Sequence, residues 1–234
     1  MKLIIKGGKK MKKSFLTVLV LLVLMVSFFA IGCEKDKSSE VVQQYEEKIK
    51  DFEDYQKSAK IVDSFETFVG RAIEALEPIG EEPEEKPYEY KLSAGDIDEI
   101  KNIVLSIIGY NKTVDIDSHK GTIEGKRTLK ENGIEMTISL KDISIKYIEV
   151  KQNENAEPEE EKSLVISFDL SRVVVDDEKS STETRVYSNI KVNETTYGDI
   201  TRTEKYDATT NTAELISAKI GDRNVDLRLI KATM

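Results

Sequence analysis

The chain has 234 residues, 39% hydrophobic and 34% charged, with a formal net charge of −9, which suits one ordinary domain with extensions. Its single cysteine excludes an internal disulfide. Its acidity argues against nucleic acid as a partner, because phosphate binding needs a basic face, and against charge as the means of holding it to an anionic membrane.

In chain order, the first segment is basic and then apolar. Lys9, Lys10, Lys12 and Lys13 precede Ser14 to Gly32, which is almost wholly apolar. The basic stretch resists translocation, the apolar run partitions into the bilayer, and the small residues Ala30 and Gly32 leave room for a peptidase. That is the layout of a secretory signal. The tetrad Ala30-Ile31-Gly32-Cys33 resembles the lipobox of bacterial lipoproteins, with Ala30 standing where that family most often has Leu. The resemblance covers residues 1–33. It implies a diacylglyceryl lipid on the Cys33 thiol, cleavage just before it, and acylation of the new amino group, for instance by palmitate. It also implies a lipid-anchored protein on the extracytoplasmic side of the cell membrane, at the cell surface or in the periplasm. No cofactor other than that covalent lipid is expected.

Cleavage there removes six lysines and no acids, leaving 29 basic against 44 acidic residues and a net charge of −15. Attachment by lipid is physically sufficient, since each buried methylene contributes roughly 0.8 kcal/mol and two or three chains make release negligibly slow. The alternative is an uncleaved transmembrane anchor, for which about 17–25 apolar residues suffice. Lys6-Gly7-Gly8-Lys9-Lys10-Met11 is what a purine-rich ribosome-binding sequence would encode in frame, which predicts that translation starts at Met11.

Residues 33–38 read as a polar tether. The next segment, 39–80, is predicted to be helical over 39–77: Val42, Tyr45, Ile49, Phe52, Ala59, Val62, Phe65, Val69, Ala72 and Leu76 fall mostly at three- and four-residue steps. Unbroken, about 39 residues would reach roughly 60 Å. A domain of this size has a diameter under about 40 Å. The helix is therefore expected to break or bend, with Gly70 the obvious weak point, and to pack partly on the domain. Residues 81–92, with Pro83 and Pro87 among acids, read as a solvated linker.

The α+β domain is predicted over 93–234. Ser93 and Asp96 have capping-box spacing, the isoleucines from Ile97 to Ile108 form an apolar face, and Gly109 closes a helix over 93–109. From residue 112 to 232 the period falls to two, giving about eight or nine strands. Ile134, Met136, Ile138 and Leu140 alternate with polar residues, as do Leu164, Ile166, Phe168 and Leu170; Val225, Leu227 and Leu229 form the last run. Asn132-Gly133 marks a hairpin, and Asn153 to Lys162 a long solvated loop. The expected fold is α+β: N-terminal helices followed by a curved antiparallel β-meander packed against them.

Chemistry is hard to find in these residues. No nucleophile elbow, phosphate loop or dinucleotide fingerprint occurs, and no enzyme is predicted. Asp115, Asp117 and His119 are spaced i, i+2, i+4 and would share one face of a strand, a weak candidate for a divalent metal against the expectation of no metal. Exposed polar alternation explains them equally well. Asp176-Asp177-Glu178 reads as a turn, and the sequons at Asn111 and Asn193 carry little weight in a lipoprotein. Three roles follow: a non-enzymatic binding or scaffolding module with a protein partner on helix 39–77, a carrier of a hydrophobic small molecule in a half-barrel-like fold, and, last, a carboxylate-only enzyme such as a glycosidase.

Overall fold

A computed structural model describes residues 35–78, 83–150, 160–177 and 179–233 of the chain. The expected secretory signal, the expected cleavage point and Cys33 lie outside the described residues. By its contacts the chain falls into two units, residues 1–46 and 47–234.

Helix α1 (Lys35–Ser64) begins before the predicted start at 39, inside the expected tether. Val41, Val42 and Tyr45 are exposed. Within the second unit, Tyr55, Ala59, Ile61 and Val62 are buried, so the partner-binding face expected along 39–77 is largely consumed by the domain's own core. The predicted break occurs, but at Phe65 rather than Gly70. Phe65 has φ −100° and ψ 8°, after which α2 (Glu66–Leu76) resumes. Gly70 sits inside α2, and a Cβ there would meet nothing within 4 Å. The break is set by packing: the fully buried Phe65 ring meets Phe168 edge-on at 5.7 Å. Flexibility at a glycine plays no part in it.

The expected linker over 81–92 is corrected by strand β1 (Glu85–Lys91), which pairs antiparallel with β2. Pro87 is tolerated because β1 is an edge strand, where a missing N–H can face solvent. Tyr88 and Tyr90 point to the core side. The predicted capping box is present: the Ser93 N–H donates to the Asp96 carboxylate at 2.8 Å. It opens as a short 3₁₀ turn (Ala94–Asp96) into α3 (Ile97–Ile108). Gly109, at φ +118°, ends α3 by donating to the Leu105 carbonyl at 2.9 Å.

The sheet is one antiparallel meander. Its strands are β2 (Val114–Lys130), β3 (Gly133–Glu149), β4 (Glu161–Asp177), β5 (Ser180–Val192), β6 (Thr195–Thr196), β7 (Ile200–Asp207), β8 (Thr212–Ile220) and β9 (Arg223–Asn224). Their order is β1-β2-β3-β4-β5-β7-β8-β9, with β6 on β5. The hairpin near Asn132 forms one residue earlier than the dipeptide suggested: Glu131 and Asn132 make the turn, and Gly133 already pairs with Lys130. Gly133 is required there because a Cβ would lie 1.9 Å from the Val174 carbonyl oxygen. The C-terminus departs from prediction. Instead of a strand through Val225, Leu227 and Leu229, helix α4 (Leu227–Lys231) forms, capped by Asp226, whose carboxylate accepts from the Arg228 N–H at 3.0 Å. A local N-cap outweighs three alternating apolar residues.

One core joins helices and sheet. Phe65, Phe68, Val69 and Leu76 of α1–α2 and Ile100, Ile103 and Val104 of α3 share it with Ile138, Leu140, Ile143, Ile145, Phe168 and Leu170. Arg127, fully buried, joins two segments: it donates to the Leu76 carbonyl at the end of α2 at 2.9 Å and to the Pro83 carbonyl at 2.7 Å. Among the described residues no helix is long and apolar enough to cross a membrane.

Candidate functional site

The trio Asp115, Asp117 and His119 does not assemble. The pairing of β2 with β3 slips between Ile116 and Ser118, so Asp117 is bulged out of register. An extra residue reverses the alternation beyond it. Asp115 stays exposed and lies 3.7 Å from Lys101, whereas His119 turns to the opposite face. There its Nε2 sits 2.7 Å from the Ser93 carbonyl oxygen.

Around Ser93 a polar junction forms where β1, α3 and β2 meet. Asp96, 3% exposed, accepts from the Tyr90 hydroxyl at 2.7 Å, the Ser93 N–H and hydroxyl at 2.8 and 3.0 Å, and Arg71 at 3.1 Å. Burial opposes its charge, but these donors together hold its carboxyl below the usual range. Ser93, His119 and Asp96 are thus neighbours, yet the serine hydroxyl donates to Asp96 and the imidazole reaches a carbonyl. That wiring positions a helix start and offers no activated nucleophile.

A second polar feature crosses the inward face of the sheet. Arg172 on β4 pairs with Arg185 on β5, which pairs with Arg202 on β7, a row of three guanidiniums on neighbouring strands. Each is answered by acid. Glu183 accepts from Arg172 at 3.0 and 3.1 Å and also from Arg185. Asp63 of α1 takes Arg202 in a bidentate pair at 2.6 and 2.9 Å. The Arg202 Nε donates to the Tyr55 hydroxyl at 2.8 Å, and its guanidinium lies 5.7 Å from the Tyr55 ring and 5.8 Å from that of Tyr187. Burial disfavours the Arg202 cation, yet Asp63 outweighs it and drives its pKa further up. Burial likewise works against the Glu183 carboxylate, but Arg172 and Arg185 keep it below the usual range.

Beside this row opens a cleft of about 540 Å³ between α1, β7, β8 and α4. Phe52, Ala59, Leu215 and Ile230 give it apolar walls; Asp63, Arg202 and Glu204 lie along it. A size of about 300–1,000 Å³ is ordinary for small-molecule sites. Sequence reasoning placed Phe52 and Ala59 on the apolar stripe of the long helix but singled out none of the row or cleft residues as a site. A signal existed for the arginines: Arg172 continues the inward parity of Phe168 and Leu170, and Arg202 that of Ile200.

The fold and the site together define an α+β domain in which one antiparallel meander carries its helices on its core side, with an ionic row and a cleft at the edge of that packing. No protein-family model, curated protein or solved structure matches the chain.

Proposed function

We propose that the protein is an exported lipoprotein, cut before Cys33 and held at the extracytoplasmic side of the cell membrane by lipid on that cysteine, where its domain serves as a non-enzymatic binding or scaffolding module. The observation that carries this is the order of the first 33 residues: lysines, an apolar run, then Ala30-Ile31-Gly32-Cys33. The anchor itself needs only the Cys33 thiol, with the covalent lipid as the expected cofactor. A protein partner would find Val41, Val42 and Tyr45 of helix 39–77 exposed.

Feeding cells an alkyne-tagged palmitate tests the anchor. The expected product is a labelled chain that begins at Cys33, and Cys33→Ser abolishes both label and cleavage. An unlabelled chain that keeps residues 1–32 overturns it in favour of a transmembrane anchor.

The carrier of a hydrophobic ligand is the second reading, and the cleft supports it. Register breaks at Leu140/Ile143, Ser167/Asp169 and Thr203/Glu204 are devices that bend an antiparallel sheet, in keeping with a curved, half-barrel-like meander. Against a large cavity, the inward face under α2 is filled by Phe65, Phe68 and Leu76. Any ligand would have to sit in the cleft beside that core.

A further inference from the structure

We infer that the cleft between α1 and the β7–β8 hairpin is a binding site for a small cationic amphiphile, an apolar body carrying one ammonium group that pairs with Glu204. This rests on the binding-module reading and names the ligand class.

The walls account for the body. Phe52, Ala59, Leu215 and Ile230 present apolar surface on three sides of about 540 Å³. The charge comes from how the surrounding acids are used. Asp63 is spent on Arg202, and Glu183 on Arg172 and Arg185. Arg202 is itself saturated, with its Nε on Tyr55 and both terminal nitrogens on Asp63. Glu204 lies two residues along β7 on the same inward face. It has no hydrogen-bond or ion-pair partner among the described residues. Its cross-strand neighbours are Glu183 on one side and Leu215 on the other. Glu183 is neutralised by Arg172 and Arg185, so the acids and arginines beside Glu204 are already paired with one another and supply it no cation. Lys60, the other cation along the cleft, donates to the Ile107 carbonyl at 3.3 Å. A half-buried carboxylate beside apolar walls, with no ion-pair partner among the described residues, is matched by a guest that brings one cation and an apolar body. An anionic guest would be repelled by Glu204, and a neutral one would leave it unpaired.

The test uses the full chain in phosphatidylcholine nanodiscs, with empty nanodiscs as the blank. The probes are 4-(4-fluorophenyl)butan-1-amine and its neutral counterpart 4-(4-fluorophenyl)butan-1-ol, followed by fluorine NMR line broadening. The amine is expected to bind about tenfold tighter than the alcohol, the scale of one partly exposed charge-assisted hydrogen bond. Glu204→Gln brings the amine to the alcohol's level, and Gln56→Trp, which fills the cleft from the exposed side of α1, weakens both. Unchanged hydrogen-exchange protection of the β3–β4 centre confirms that each variant is folded. Equal binding of both probes, or an amine affinity indifferent to Glu204→Gln, overturns the cation inference while leaving an apolar-ligand module standing. Binding of neither probe overturns the site altogether, and the palmitate labelling then decides the lipoprotein reading independently.

Discussion

The inward face of the sheet is filled in two ways along the same strands. On β4, Leu164, Ile166, Phe168 and Leu170 are buried in the common core, and Arg172, next in the same alternation, is buried as well, but in ion pairs. The first region is held by apolar contact, which is non-directional and roughly additive in area. The second is held by pairs whose Coulomb gain must offset the cost of taking charges out of water, so its stability depends on every partner remaining in place. The comparison teaches that an alternation pattern reports which way a side chain points and leaves open what chemistry will meet it there.

The largest expected effect lies in the apolar region. Phe65→Ala removes the ring that both breaks the helix and packs on Phe168, and should cost about 3–5 kcal/mol in urea unfolding. A loss under about 1 kcal/mol would mean that the site collapses freely and that Phe65 does not set the break.

Next comes the ionic region. Glu183→Gln leaves Arg172 and Arg185 side by side without their shared acid and should cost about 2–4 kcal/mol. Adding Arg172→Met should recover part of that loss, because the second change removes a stranded charge. If the double variant is no better than the single, the row is held by packing and the two regions do not differ.

Acid should separate them further. The folded-state pKa values of Glu183 and Asp96 are depressed, so the stability these groups give is fully present above their unfolded values near 4 and is lost as pH falls through the lower folded values. Native-state hydrogen exchange at pH 3 should show β5, β7 and the β1–α3 junction opening before the β3–β4 centre. Uniform loss of protection across the sheet would contradict this.

The smallest effect is expected at the C-terminus. Arg228, through its side chain and its N–H, lowers the Asp226 pKa to about 2. Its contribution therefore persists below pH 4 and fades only toward pH 2. Asp226→Asn keeps an N-cap but loses the charge, and should cost about 0.5 kcal/mol by thermal unfolding.

Much of this was legible in advance. The α3 capping box, its Gly109 terminus and the alternation of β3 and β4 all read directly from residues, because caps and period-two burial are local or one-dimensional signals. What failed did so for nameable reasons. Residues 85–91 carry Glu85, Lys86 and Glu89 around a proline, so the charges hid the tyrosine alternation of an edge strand. A bulge at Asp117 leaves no mark in sequence, so the spacing of Asp115, Asp117 and His119 predicts a shared face that the register does not provide. Leu227 and Leu229 fitted a strand until Asp226 capped a helix. At the candidate site, the inward parity of Arg172 and Arg202 could be read, whereas the pairing of Asp63 with Arg202 could not, since 139 residues separate them.

By itself the sequence determined the α+β order of helices before strands and the parity of each long strand, and it carries the lipobox resemblance on which the proposed export rests, because hydrophobic length and periodicity are properties of contiguous residues. Only the tertiary structure decided where the long helix breaks, which strand guards the sheet's edge, which arginines share which acids, and that Glu204 is left without a partner among the described residues beside an apolar cleft. Those outcomes depend on ring packing, register slips and charge pairing between segments far apart in the chain, and these contacts exist only once the strands have taken their register.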